Sequence, residues 1–112
     1  MADVEVFPLA QVPVAHAPAS AGEVVAGAPT LGTTPITTLG GTGVEIGIWE
    51  MSTGAVRDVE VDEVFVVLEG EATITVEGAE PIAVKPGDLV KLTAGTATIW
   101  EVTSPLRKLY VA

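Results

Sequence analysis

Asp62-Glu-Val-Phe-Val-Val-Leu-Glu-Gly-Glu-Ala-Thr-Ile-Thr-Val-Glu77 is the stretch whose reading decides the fold. Its first half is β-branched and aromatic, which suits a pleated and buried backbone. Glu63, Phe65 and Val67 share one face of a strand, and Val64, Val66 and Leu68 share the other. Both faces are largely apolar, so the strand belongs at the centre of a sheet. Glu69-Gly70-Glu71 reads as a turn. Ala72, Ile74 and Val76 then alternate with Thr73, Thr75 and Glu77, the pattern of a strand with one wetter face.

The same punctuation continues in both directions. Upstream, Val44–Met51 is closed by Ser52-Thr53-Gly54. Downstream come Pro81–Val84 with Lys85-Pro86-Gly87, Leu89–Leu92 with Thr93-Ala94-Gly95, Thr96–Thr103 with Ser104-Pro105, and finally Leu106–Val111. Short strands with Gly or Pro at each break predict a sandwich or barrel, and no window carries a helical period. The fold class is all-β. Residues 1–43 differ, with Pro8, Pro13, Pro18, Pro29 and Pro35 at short intervals. Proline removes a backbone donor and fixes φ, so this part is expected to hold at most short edge strands, with poor order over Ala10 to Ala21. Residues 1–22 are read as an arm and 23–112 as the domain.

Composition excludes several roles. Fifteen acidic residues against five basic ones give the 112-residue chain a net charge of −10, which repels nucleic-acid phosphates and anionic lipid. Nucleic-acid and membrane partners are therefore not expected. Cysteine is absent, which removes disulfides, thiol catalysis and zinc–thiolate sites. No basic leader precedes an apolar core and no run reaches membrane-spanning length, so the expected location is the cytoplasm. So short a barrel gains from self-association, and a homodimer is expected.

The strand–EGE–strand–PGD–strand–AG–strand order resembles the cupin superfamily. The finer likeness is to small single cupins related to (S)-ureidoglycine aminohydrolase and to an ethanolamine-utilisation protein. It rests on Gly47-Ile-Trp49-Glu50, on Asp62-Glu-Val-Phe-Val-Val-Leu-Glu-Gly-Glu71, on Gly87-Asp88, and on Thr98-Ile-Trp-Glu-Val-Thr-Ser-Pro-Leu-Arg-Lys-Leu-Tyr-Val111. The resemblance implies a single jelly-roll-like barrel with the arm along one edge. It also implies where a metal would sit in a conventional cupin, which uses two His and a Glu from the first motif and a His from the second. The Glu falls on Glu63 and the second-motif His on Thr98. The His pair falls on Arg57 and Val59, or on Val56 and Asp58 with a loop one residue longer. The chain's one histidine, His16, lies in the arm and reads as solvated. No cofactor is therefore expected.

Candidate site residues follow. If Val59 and Val61 point inward, Asp58, Glu60 and Asp62 line an outer, solvated edge. An all-oxygen site for a hard cation would instead need Glu63 to converge with a second carboxylate, Glu50. Inside a closed barrel Glu63 meets Phe65, Val67, Thr98 and Trp100. Burial there would raise its pKa unless Arg57 or a lysine pairs with it, leaving an acid or base in an apolar cup. Trp49 and Trp100 serve either packing or ligand stacking, and Arg107-Lys108 reads as part of a surface strand. The expected function is a small-molecule-binding barrel using Phe65, Arg57, Thr98, Trp100 and Trp49. Two alternatives stand beside it: a metal-assisted hydrolase of C–N bonds, with Glu63 and Glu50 as ligands or acid/base groups, and an accessory subunit.

Overall fold

A computed structural model describes residues 3–112. After a 3-10 turn at Leu9–Gln11 come nine strands: β1 Ala17–Pro18, β2 Val24–Ala26, β3 Thr30–Thr38, β4 Glu45–Met51, β5 Gly54–Val59, β6 Glu63–Val76, β7 Ile82–Val84, β8 Leu89–Leu92 and β9 Ala97–Val111. Among the described residues there is no α-helix, and no helix is long and apolar enough to cross a membrane. All pairings are antiparallel, in the order β1-β3-β4-β9-β5-β2, with β6 joined to β7, β8 and β9.

Two long strands curl the sheet. β6 and β9 pair from Val64↔Val111 to Val76↔Thr98, with register shifts between Val67 and Ala72. Such irregularities bend a strand pair and increase its twist, so one ribbon crosses both walls of the cup. The sequence reading placed turns at Glu69-Gly70-Glu71 and Ser104-Pro105; the structure makes both corners of continuous strands. Gly70 takes φ +87°, a conformation that L side chains rarely adopt, and its Cα lies on the backbone of Ser104 and Pro105, where a Cβ would collide. A glycine and a proline that look like strand terminators are here the pair that lets two strands bend together.

The residues before β4 are also more regular than their prolines suggest. β3 runs nine residues and pairs with β4, stepping around Pro35 through a shift between Pro35 and Thr37. Residues 10–21 are placed against the barrel. β1 pairs with β3, and Gly32 in β3 lies so close to Ala15 O and the Val14 side chain that a Cβ there would overlap both. Arg107 donates from Nη2 to Leu9 O at 2.6 Å and to Val12 O at 2.9 Å, which fastens the arm.

The core lies in the concavity. Phe65, Val67, Ala72 and Ile74 of β6 face Trp100, Val102, Leu106 and Tyr110 of β9, with Met51 and Val56 from β4 and β5. Each fully buried side chain of Leu or Phe size stabilises by about 1.5–3 kcal/mol over its exposed state. The inward set of β9 alternates Thr98, Trp100, Val102 and, past the corner, Leu106, Lys108, Tyr110. That parity carries a lysine into the concavity.

Candidate functional site: an acidic cup with an internal ammonium

At the open end of the concavity is a cavity of about 330 Å³. Its walls carry Asp58, Glu60 and Glu63, with Glu23 beside them, together with Lys108 and the rings of Trp49, Trp100 and Tyr110. Four carboxylates and a single ammonium thus share its walls.

Lys108 is the centre of this arrangement. Its side chain is only 6% exposed, and Nζ donates to Glu63 Oε2 at 2.7 Å. The same nitrogen stands 4.3 Å from the centroid of Phe65, 4.7 Å from Trp49 and 4.9 Å from Trp100. The register explains the enclosure, since Lys108 lies opposite Trp49 on β4 and Val67 on β6. Ring faces are electronegative and attract a desolvated cation. Burial nevertheless pushes the Lys108 pKa down, and Glu63, Glu60 and Asp58 oppose that without reversing it. The reading of Arg107-Lys108 as a surface strand is corrected: Lys108 is enclosed by the core and Arg107 by the arm, at 5% and 9% exposure.

Glu60 reverses its expected orientation. It is buried, and its Oε2 accepts from Thr98 Oγ1 at 2.6 Å and from Trp100 Nε1 at 2.8 Å. Its backbone is fixed as well, with N donating to Thr96 O and O accepting from Gly95 N. Val59 and Val61, expected inside, are 66% and 60% exposed. Apolarity favoured the valines, but two waiting donors inside the barrel make the carboxylate the better fit. Asp58 points to the cavity beside Glu60, and its pKa is raised, first by burial and then by repulsion from Glu60 and Glu23.

The remaining candidates divide between faces. Phe65 is fully buried behind the ammonium and packs its ring 5.5 Å from Trp100, and Trp49 packs at the same centroid distance from the other side. Arg57 points outward and is exposed, so the partner of Glu63 is the lysine. Glu50 follows Trp49 in β4 and therefore faces away from the cup. It receives Arg107 Nη1 at 2.6 Å and His16 Nε2 at 2.8 Å. Burial would raise the Glu50 pKa, but these two partners outweigh it and the pKa is lowered. Glu50 and Glu63 are thus not brought together. His16, expected to be solvated, is bonded through both ring nitrogens, to Thr30 and to Glu50.

A metal does not fit the donors present. Of the positions that the resemblance assigns to metal ligands, Glu63 and the pair Val56 and Asp58 line the cavity, the other pair has Val59 at the rim and Arg57 pointing outward, and the Thr98 hydroxyl is already committed to Glu60. Val56 has no donor atom, and Glu63 holds Lys108. Among the described residues no three of His, Cys, Asp or Glu are grouped to hold an ion.

The curled antiparallel sheet built on the β6–β9 ribbon is a cupin fold. The profile of the EutQ-like cupin domain matches residues 40–110, and the chain belongs to that family. A Salmonella typhimurium LT2 protein provisionally described as ethanolamine utilization protein Q is 28% identical, over 73% of this chain and 68% of that one, with a TM-score of 0.63. A DUF861 protein of Thermotoga maritima is 31% identical over 56% of this chain and 73% of that one, with a TM-score of 0.54. A DUF861 protein of unknown function from Pseudomonas syringae shares the fold over 90% of this chain and 44% of its own, at 18% identity and a TM-score of 0.72. Comparison with curated proteins gave no match.

Lys108, and Glu60 as a buried acceptor, are the residues of the candidate site that sequence reasoning missed. The signal for both was parity. Placing Val56 and Asp58 inward, as the longer-loop alignment does, also turns Glu60 inward. Counting back from Tyr110 places Lys108 on the same face as the core.

Proposed function

We propose that the cup is a binding site for a small molecule, organised around the Lys108 ammonium and not around a metal. The observation that carries this reading is the 330 Å³ cavity walled by Trp49 and Trp100 with a buried, charge-paired amine at its side. A volume of this order accommodates a compact organic ligand, and aromatic walls with a few fixed polar groups are the usual lining of such sites. Asp58, Glu60, Glu63 and Glu23 outweigh the one ammonium, so the preferred ligand is neutral or positively charged, with a planar part that lies against the indoles. Metal-assisted hydrolysis has no donor set to support it, and an accessory role gives no account of a cavity kept open among charged side chains.

The test is a tryptophan-fluorescence titration with a panel of small neutral, cationic and anionic aromatic compounds. Saturable quenching by neutral or cationic members, weakened in Glu63→Gln, is expected. Quenching only by anions, or no saturation with any member, would overturn the reading.

A further inference from the structure

Lys108 places a primary amine on the wall of a cavity that an entering molecule can occupy, and the chemistry of that amine goes beyond holding charge. Resting on the reading of the cup as a small-molecule site, we propose that Lys108 forms a protonated imine with a small neutral aldehyde or ketone bound there.

Geometry supplies the base and the place for the product. Glu63 Oε2 lies 2.7 Å from Nζ, close enough to take one proton and leave a neutral amine. Both members of the pair are then uncharged, which an apolar surrounding favours. The freed lone pair forms a bond to the carbonyl carbon while the carbonyl π pair moves to oxygen. That oxygen receives one proton from nitrogen and one returned by Glu63, and leaves as water as the nitrogen pair closes the C=N bond. One positive charge remains on nitrogen and one negative charge on Glu63, as at the start. The imine therefore keeps the ion pair and its position against Phe65, Trp49 and Trp100. No oxidant, metal or second cofactor is consumed.

The walls select the carbonyl. Asp58, Glu60 and Glu63 around the amine disfavour keto acids and other anions. The indoles favour a planar substituent. Burial lowers the Lys108 pKa, which raises the fraction of amine able to react relative to exposed lysines.

The experiment treats the intact protein with benzaldehyde and sodium cyanoborohydride at neutral pH and maps the benzyl increment by peptide mass spectrometry. Lys85 and Lys91, both exposed, are internal comparators. Lys108 is expected to be labelled at least about tenfold faster than either, because the cup holds the carbonyl against its amine whereas the two comparators meet the aldehyde only from solution. Benzyl alcohol, the same shape without the carbonyl, is expected to suppress that labelling and to quench tryptophan fluorescence saturably. Lys108→Arg, which keeps the charge, is expected to abolish the label while circular dichroism is unchanged. Labelling confined to Lys85 and Lys91 while benzyl alcohol still saturates the quench would overturn the imine and leave the binding cup standing. Neither site-selective labelling nor saturable quenching would overturn both.

Discussion

Replacing Lys108 by Met tests whether the buried ion pair organises the cup. The substitution preserves length and apolar contact and removes the charge. Glu63, whose side chain is 12% exposed, then loses the ammonium 2.7 Å away. Breaking a buried pair from one side costs about 3–5 kcal/mol. Three ring contacts at 4.3–4.9 Å are lost as well, each worth about 0.5–2 kcal/mol. Against this, methionine makes its own contacts with the rings, and the desolvation cost of the ammonium disappears. A net loss of about 3 kcal/mol follows for Lys108→Met. Glu63→Gln keeps an acceptor for Nζ and should cost about 2 kcal/mol. The double variant carries neither charge, so its loss should stay near about 3 kcal/mol, a coupling of about 2 kcal/mol. Urea unfolding at neutral pH, followed by both fluorescence and circular dichroism to check two-state behaviour, measures all three. Losses that add to within about 0.5 kcal/mol would mean that the two groups act independently, and would refute the reasoning.

Other perturbations separate parts of the account. Glu60→Ala strands the Thr98 hydroxyl and the Trp100 indole N–H and should cost about 2–5 kcal/mol in urea unfolding, whereas Glu60→Gln retains an acceptor and should cost about 1 kcal/mol; equal losses would argue against both hydrogen bonds. Gly32→Val should lift the arm off β3, seen as faster hydrogen exchange over residues 13–18 with the core protected as before; unchanged exchange there would contradict the close packing. Asp58 and Glu50 should respond to pH with opposite signs. The folded-state pKa of Asp58 is raised above 3.8, so its ionised form opposes folding at neutral pH, and Asp58→Asn should stabilise there with an effect that fades below about pH 3.8. The folded-state pKa of Glu50 is lowered below 4.5, so its contribution is present above that value and lost as pH falls through the folded pKa; Glu50→Gln should destabilise at neutral pH by an amount that shrinks as the pH falls below 4.5. Thermal unfolding of both variants between pH 3 and 8 checks the two signs together.

How much of this was legible in the sequence depends on which interactions decided each element. The all-β class and the order of strands from Val44 onward follow from alternation and punctuation, both local properties. The corners at Gly70 and Pro105 were misread because a turn and a bend share the same residue preferences; only the mutual pairing of β6 and β9 tells them apart. The length of β3 was hidden by Pro35, which the ladder tolerates at a register shift. In the site, hydrophobicity was the wrong guide. Val59 and Val61 look like core residues, but the barrel interior presents Thr98 and Trp100 as donors, and that demand is set by a strand about forty residues away. Arg107 and Lys108 look like surface charges because each has its partner on a distant strand, Glu50 on β4 and Glu63 on β6. Glu63, Phe65, Trp49 and Trp100 gather around the ammonium as strand parity places them, while Arg57 and Glu50 turn outward by the same rule.

The central claim is that an ammonium, not a metal, is the cation of this cup. Its most direct test is the metal content of untagged protein, measured by plasma mass spectrometry after growth in medium supplemented with manganese, iron, nickel and zinc. The account predicts less than about a tenth of an equivalent of any of them, because the donor set offers neither imidazole nor thiolate and Glu63 is held by Lys108. A near-stoichiometric metal that is lost in Glu63→Gln would contradict it, and would show that Glu63 binds an ion in preference to the lysine.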